Sequence, residues 1–176
     1  MSIYTNKNEF GGFFYNQVTS NLAKADEATI ATGYISSKTI DDLSDPILKI
    51  IKRGGSFNLI VGMGYYEGLK QNQFKALDNL NKEIKKIRGQ DNGIKLLYSR
   101  KYHGKIYHFR KDKEEKYFAG SSNFSPSGLM NNLETNIEIK DKTSVSELKS
   151  FFSWLKEPKN SAYIDKVGEI KITDSK

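Results

Sequence analysis

The chain has 176 residues, of which 37% are hydrophobic and 28% are charged. It is therefore long enough for one packed domain and fits neither a disordered nor a membrane-embedded protein. Cysteine is absent and there are two histidines, which excludes disulfides and cysteine-ligated zinc and disfavours a histidine-rich metal site. The formal net charge of +7 favours polyanionic partners such as nucleic acid, although lysine used only for solubility is an open alternative.

The amino-terminal residues lack the charged-then-apolar pattern of a signal peptide, and no apolar run reaches the roughly eighteen residues that a membrane span needs. We therefore expect a cytoplasmic protein that makes no membrane contact. Residues 1–176 are expected to form a single domain. Two alternatives stay open: the domain is complete by itself, or it is the amino-terminal part of a longer protein.

Helical and strand patterns alternate along the chain, which predicts an α/β domain with at least partly parallel pairing. In chain order they predict a helix at 13–25, a strand at 28–35, a helix at 36–53, a strand at 57–61, a helix at 74–87 and a strand at 94–98. An antiparallel hairpin at 105–110 and 115–119, a strand at 133–140 and a helix at 145–155 follow. Pro46 is expected to divide or restart the second helix. The polar residues from 157 onward are expected to fray or to lead elsewhere.

His103 and Lys105 flank a glycine at the start of the predicted hairpin. Because alternate side chains of a strand share a face, these two are predicted to point the same way, and His108 the other way. An imidazole beside an ammonium suits displacement at phosphorus, where the imidazole attacks or transfers a proton and the ammonium holds negative charge. We interpret His108, which has no partner motif, as structural.

A second polar segment, Gly-Ser-Ser-Asn at 120–123, follows a predicted strand. Gly120 permits close backbone approach, and Ser121 and Asn123 offer neutral donors for a phosphoryl oxygen. Glu134 stands near the start of the next strand and offers a carboxylate that can fix the tautomer of an imidazole. Each of these features alone has a plainer interpretation, as a surface strand, a polar turn or a surface glutamate.

Together these residues resemble the phospholipase D superfamily, whose pattern is His-x-Lys, then Gly-Ser-x-Asn, then a downstream carboxylate. The positions that match in order are His103, Lys105, Ser121, Asn123 and Glu134. Residues 102–105 and 120–125 look like the metal-independent restriction endonucleases of the NgoFVII type. The resemblance implies a mixed, largely parallel β-sheet flanked by helices on both faces. One departure is Arg110, which stands where the family usually has Asp and makes the lipid-hydrolysing branch a poor match.

The resemblance also implies a mechanism. The family's reaction needs two histidines at one phosphate, and this chain has one copy of the motif, so a homodimer with a shared active site is expected. His103 of one subunit would attack phosphorus to form a phosphohistidine, and His103 of the partner subunit would protonate the leaving oxygen. Lys105, Ser121 and Asn123 would hold the other phosphate oxygens, and Glu134 would orient His103. No metal and no cofactor are expected.

The expected substrate is DNA, with RNA as an alternative, and the expected role is the catalytic domain of a restriction endonuclease. Five basic residues near the motif are expected to contact the phosphate backbone: Arg100, Lys101, Lys111, Lys113 and Lys116. Two other functions stay open, a phospholipase or phosphatidyl-transferase and a non-catalytic DNA-binding module of the same fold. Tyr65 and Tyr66 are interpreted either as the lining of a groove for bases or as exposed or half-buried core tyrosines, and the second interpretation is favoured.

Overall fold

The computed structural model describes residues 2–7, 12–89 and 91–173. Its strands are β1 (Ser2–Thr5), β2 (Gly12–Phe13), β3 (Glu27–Thr32), β4 (Ser56–Val61), β5 (Leu69–Lys70), β6 (Gly93–Leu97), β7 (Lys105–Lys111), β8 (Glu114–Gly120), β9 (Thr135–Ile139), β10 (Ser161–Tyr163) and β11 (Ile172–Thr173). Its helices are α1 (Phe14–Lys24), α2 (Ser37–Lys52), α3 (Gly64–Glu67), α4 (Gln71–Ile87) and α5 (Lys142–Lys156), and a π-helical turn spans Ser127–Asn131.

Nine of the described strands form one sheet in the order β10-β6-β4-β3-β7-β8-β9-β1-β2. The parallel pairs are β3–β4, β4–β6 and β1–β2, and the other neighbours pair antiparallel. The predicted mixed α/β class is confirmed. The parallel part is smaller than predicted, because only β3, β4 and β6 are joined by crossover helices, whereas β7 and β8 form the predicted antiparallel hairpin.

Helices cover both faces of the sheet, as predicted. Along β4, Leu59 faces a core shared with α1, α2 and α4, called here the first core. The next residue, Ile60, faces a second core, which is shared with α5. The same alternation on β7 sends Tyr107 and Phe109 into the first core, because successive side chains of a strand point to opposite faces. The burial of Tyr107 and Phe109 therefore determines the face of the sheet on which the other odd-numbered residues of β7, such as Lys105, lie.

The expected break at Pro46 is wrong, since α2 runs continuously from Ser37 to Lys52 with Pro46 inside it. Apolar side chains before and after the proline, such as Leu43 and Ile47, are buried in the same core. A proline inside a helix costs roughly 3 kcal/mol relative to alanine. Burial of the apolar stripe on both sides of Pro46 outweighs that cost and holds the helix together.

The expected fraying after residue 157 is also wrong for the described part of that segment. Strand β10 is the outermost strand on one side of the sheet and pairs antiparallel with β6. Ile164 is buried in the first core. Strand β11 then pairs with β5. Residues 174–176 lie outside the described residues. Within the ranges that are described, no helix combines the length and the apolar character that crossing a membrane requires.

Candidate active site

The pairing register of four adjacent strands brings the motif residues to one edge of the sheet, namely the border that is formed by the ends of these strands. Lys105, the first residue of β7, pairs with Thr32, the last residue of β3. The next residue of β7 pairs with Ala119 of β8, and Gly120 pairs with Asn136 of β9. The segment that carries His103 therefore meets the loop after β8 at the ends of β3 and β7.

Gly62, just after β4, lets the chain before the motif approach this edge. A Cβ atom on Gly62 would lie 2.1 Å from the carbonyl oxygen of Tyr102, which is far closer than any real contact. The backbone N–H of Tyr102 also lies 3.4 Å from the carbonyl oxygen of Gly62. Only a residue without a side chain fits here, so Gly62 fixes where residues 102–104 cross the end of β4.

His103 and Lys105 do point the same way, as the strand alternation predicts. The Lys105 Nζ atom lies 2.9 Å from Nδ1 of His103 and donates to the carbonyl oxygen of His103 at 2.5 Å. His103 is exposed, whereas Lys105 is only 7% exposed. No carboxylate in the described residues lies within ion-pair distance of the Lys105 ammonium. A buried cation without a directly paired carboxylate favours the binding of an anion such as phosphate.

The contact between Lys105 and His103 assigns the imidazole proton. An ammonium donates and cannot accept, so Nδ1 of His103 is the acceptor and the proton of the neutral ring lies on Nε2. Burial lowers the pKa of Lys105 from its usual value, and the charge of Glu134 opposes that shift. Glu134 thus lies close enough to act on Lys105 through its field, but no hydrogen bond joins it to His103.

Asn123 is oriented by Thr32 and Tyr34. Its Oδ1 accepts from the backbone N–H of Tyr34 at 3.2 Å and lies 3.3 Å from the Thr32 hydroxyl. The single proton of that hydroxyl is shared between Asn123 and the carbonyl oxygen of Tyr34, which lies 3.0 Å away. The Thr32 hydroxyl in turn accepts from the backbone N–H of Phe124 at 3.2 Å. Because the amide oxygen is engaged, the Nδ2 group is the part of Asn123 that stays available to donate to a substrate oxygen.

The two serines of the loop play different parts. Ser121 is exposed, and its Oγ accepts from the backbone N–H of Thr135 at 3.1 Å. Ser122 is buried: its Oγ accepts from Asn136 at 2.8 Å, and its carbonyl oxygen accepts from the Tyr107 hydroxyl at 2.8 Å. Ser121 is therefore the serine that can reach a substrate, whereas Ser122 anchors the loop to the core.

The structure does not bring all five predicted backbone-contacting cations to this edge. Arg100 and Lys101 are exposed in the segment just before His103. Lys111 lies six residues along β7 from Lys105, which is about 20 Å at the usual strand rise, and it pairs with Asp26 at 3.0 Å. Lys113 follows in the hairpin turn at that far edge, and Lys116 pairs with Phe109 near the same end.

These three lysines are near the motif in sequence but far from it in space, because each residue of a strand lies about 3.3 Å further along it. Arg110, which stands at the family's usual Asp position, is also at the far edge. It donates from Nε and Nη2 to Glu27 at 3.1 and 3.0 Å. It therefore has a structural role there, remote from His103.

His108 lies on the opposite face from Lys105. It is buried, stacks on Tyr117 with ring centroids 4.4 Å apart, and places Nε2 3.6 Å from Glu115. Burial lowers the pKa of His108, which keeps the ring neutral near pH 7. The structural interpretation of His108 agrees with this placement.

Sequence reasoning missed Thr32 and Tyr34. Thr32 is fully buried, and the Tyr34 ring meets the His103 ring edge to face with centroids 5.2 Å apart. Neither belongs to the motif that identified the site. Their only signal was their position where β3 ends, since the ends of adjacent strands gather at one edge of a sheet.

Comparison with known proteins agrees with this geometry. Residues 14–169 match the family described as the NgoFVII restriction endonuclease N-terminal PLD domain. The chain belongs to this family. The predicted relationship to the phospholipase D superfamily is thereby confirmed, and a nuclease-like phosphodiesterase is the class of protein that the family indicates.

Solved structures show the same fold as this NgoFVII-family chain. NucT from Helicobacter pylori is 22% identical with a TM-score of 0.56, and the match covers 79% of this chain and 84% of that chain. Nuc from Salmonella typhimurium, a phospholipase D family member, is 14% identical with a TM-score of 0.61 over 92% and 96% of the two chains. The archaeal chromatin protein TrmBL2 is 19% identical with a TM-score of 0.52 over 88% of this chain and 51% of that chain. Comparison with curated protein sequences gives no match.

Replacing Thr32 by valine tests its role as the support of Asn123. Valine keeps the volume but leaves the N–H of Phe124 without its acceptor, so Thr32→Val should lower the free energy of unfolding by about 1–3 kcal/mol. Thr32→Ser keeps the hydroxyl and loses one buried methyl, so about 1 kcal/mol is expected. Only Thr32→Val should shift the side-chain amide resonance of Asn123 in an NMR spectrum. An unchanged resonance in that variant would contradict the role.

Proposed function

We propose that this chain is a metal-independent nuclease that cleaves DNA through a phosphohistidine on His103. The observation that carries the proposal is the convergence of His103, the buried and unpaired Lys105 and the oriented amide of Asn123 at one sheet edge. This set offers a nucleophile and two donors to a single phosphate, and the NgoFVII family match supports nuclease chemistry. Residues 1–176 act as a single catalytic domain in this proposal, and the cytoplasmic location stays a prediction.

The reaction has two displacements at phosphorus. In the first, a ring nitrogen of His103 attacks, the P–N bond forms, the P–O bond breaks and the leaving oxygen takes a proton from a second imidazole. In the second, that imidazole removes a proton from water, the water oxygen attacks phosphorus and the P–N bond breaks. Lys105, Ser121 and Asn123 donate to the oxygens that do not react, which stabilises the charge in each transition state.

The substrate changes the partner of His103 in this scheme. In the free chain Lys105 donates to Nδ1, which leaves the ring proton on Nε2. Once Lys105 donates to a phosphate oxygen instead, Nδ1 can carry the ring proton and Nε2 becomes the free nucleophile. Glu134 would stabilise that tautomer in this proposal, which is supported by the effect of its charge on the neighbouring Lys105.

A single chain supplies half of the site. One imidazole cannot be the unprotonated nucleophile and the protonated acid in the same step, and His108 is buried on the other face of the sheet. We therefore propose a homodimer in which His103 of the partner subunit is the second imidazole. Arg100 and Lys101 hold the DNA backbone near the phosphate that reacts, which positions the strand without reading its sequence.

Digestion of supercoiled plasmid in EDTA tests the proposal directly. The unsubstituted chain should nick the plasmid without added metal, and His103→Ala should lower the rate at least about a thousandfold, because the nucleophile is lost. His108→Gln is the matched control and should stay active at temperatures where it is folded. Cleavage by His103→Ala at the rate of the unsubstituted chain would contradict the mechanism.

The pH dependence of the cleavage rate should reveal the electrostatic effect of Glu134 on the pKa of Lys105. The Glu134 carboxylate raises the pKa of Lys105 against the lowering by burial, and the reaction needs the protonated amine. Activity should therefore fall at alkaline pH, and Glu134→Gln should move that fall to lower pH. Glu138→Gln removes a carboxylate from β9 that binds Tyr4 and should leave the alkaline limb in place. Equal alkaline limbs in all three proteins would contradict the coupling.

Subunit mixing tests the shared site. If each site needs two copies of His103, co-refolding with an equal amount of His103→Ala should halve the activity per unsubstituted chain, roughly as random pairing requires. Sedimentation should show a dimer in both samples. Two unsubstituted preparations carried through the same refolding serve as the control. Unchanged activity per chain, or an active monomer, would mean that one chain forms a complete site.

A further inference from the structure

A group of four tyrosines, called here the tyrosine shelf, consists of Tyr34, which contacts His103, and of Tyr65, Tyr66 and Tyr98, whose rings lie together. Glu67, which follows Tyr65 and Tyr66 in α3, accepts a hydrogen bond from Tyr34 and joins the two parts. Tyr34 is 39% exposed and Tyr65 is 38% exposed, although both are large and largely apolar. Tyr34 contacts the His103 ring directly. The favoured interpretation of Tyr65 and Tyr66 as exposed or half-buried tyrosines agrees with the structure, in which Tyr65 is exposed and Tyr66 is half-buried. Large exposed aromatic side chains that do not pack into a core commonly mark a binding site.

Two rings of the shelf are fixed by hydrogen bonds of their hydroxyl groups, and the ring of Tyr65 packs against its neighbours. The Tyr34 hydroxyl donates to Glu67 at 2.8 Å, and the Tyr66 hydroxyl donates to the carbonyl oxygen of Tyr98 at 2.6 Å. The Tyr65 ring lies 5.5 Å from the Tyr66 ring and 6.1 Å from the Tyr98 ring, centroid to centroid. A ring that is already fixed loses little conformational entropy when a ligand stacks on it.

The charges around the shelf distinguish where a phosphate and where a base would lie. Lys101 places Nζ 6.0 Å from the centroid of the Tyr66 ring, and Arg100 is exposed beside it. Glu67, in contrast, puts a carboxylate next to Tyr34. A phosphate is attracted to the first position and repelled from the second. An uncharged aromatic group is therefore the better occupant of the two exposed rings near Glu67, those of Tyr34 and of Tyr65, which stands two residues before Glu67 in α3.

We infer that the tyrosine shelf binds an unpaired nucleobase next to the phosphate held by His103 and Lys105, so that the chain takes single-stranded nucleic acid in preference to duplex. This inference rests on the proposed nuclease function. Aromatic rings interleaved with cations are the arrangement that holds single strands, because every base has a face that can stack. A base inside a duplex already stacks on its neighbours and offers no free face to the shelf.

Binding to oligonucleotides with and without a base tests the inference. In a His103→Ala background, which prevents cleavage, a short single strand should bind roughly tenfold more tightly than the same strand with an abasic residue next to the central phosphate. Tyr65→Ala should weaken binding of the complete strand by a similar factor and should no longer distinguish the two strands. Tyr65→Phe keeps the ring and should retain the discrimination. A 2-aminopurine at that position should be quenched by the chain with Tyr65 and not by Tyr65→Ala.

Ile87→Ala is the matched control, because Ile87 is 39% exposed and ends α4, at the edge of the sheet away from the site. It should bind both strands as the His103→Ala chain does. Equal affinity of the His103→Ala chain for complete and abasic strands, or for duplex and single strand, would overturn the inference. The inference would also be overturned if Tyr65→Ala dissociated a dimer but still bound the complete strand more tightly than the abasic strand. That result would mean that the shelf forms a contact between subunits. Failure of the unsubstituted chain to cleave DNA would instead contradict the proposed function.

Discussion

The candidate site depends on the pairing register of β3, β7, β8 and β9. That register sets Lys105 opposite Thr32 and Gly120 opposite Asn136, so that four strand ends meet in one row. A slip of β7 by one residue would send Lys105 to the face of α5 and would pull Tyr107 out of the first core. The packing that stabilises the sheet thus also fixes where the ammonium points. Core and site share a single structural constraint.

The buried Lys105 links that constraint to the proposed function. Lysine is rarely buried without a partner, because taking its charge out of water is costly. Among the described residues, the hydrogen bonds of the ammonium go to His103, at a ring nitrogen and a carbonyl oxygen, and burial lowers the pKa of Lys105. The fold places a destabilised cation at the end of β7, and an anionic ligand would relieve that cost. Such an arrangement is preorganised for the charge of a phosphate, which is how electrostatic catalysis works.

Local pattern was enough to predict that His103 and Lys105 lie together, but it did not predict the long-range strand pairing. Strand alternation placed His103 with Lys105 and apart from His108, because a period of two needs no knowledge of neighbours. The helices and most strands followed from periodicity in the same way. Thr32 and Tyr34 escaped prediction because they join the site through pairing between β3 and β7, which are more than 70 residues apart. The continuous helix through Pro46 likewise depends on core packing that no local pattern reveals.

The distribution of ion pairs explains why a net charge of +7 does not make the whole surface a nucleic-acid site. At the far edge of the sheet, Arg110 is paired with Glu27 and Lys111 with Asp26, so much of their charge is neutralised locally. At the edge that carries the motif, Arg100, Lys101 and Lys105 form no ion pair within the described residues. Unpaired charge beside a partly enclosed site concentrates the potential there and draws a polyanion to it. The position of the carboxylates, more than the number of lysines, therefore determines which edge of the sheet attracts a phosphate chain.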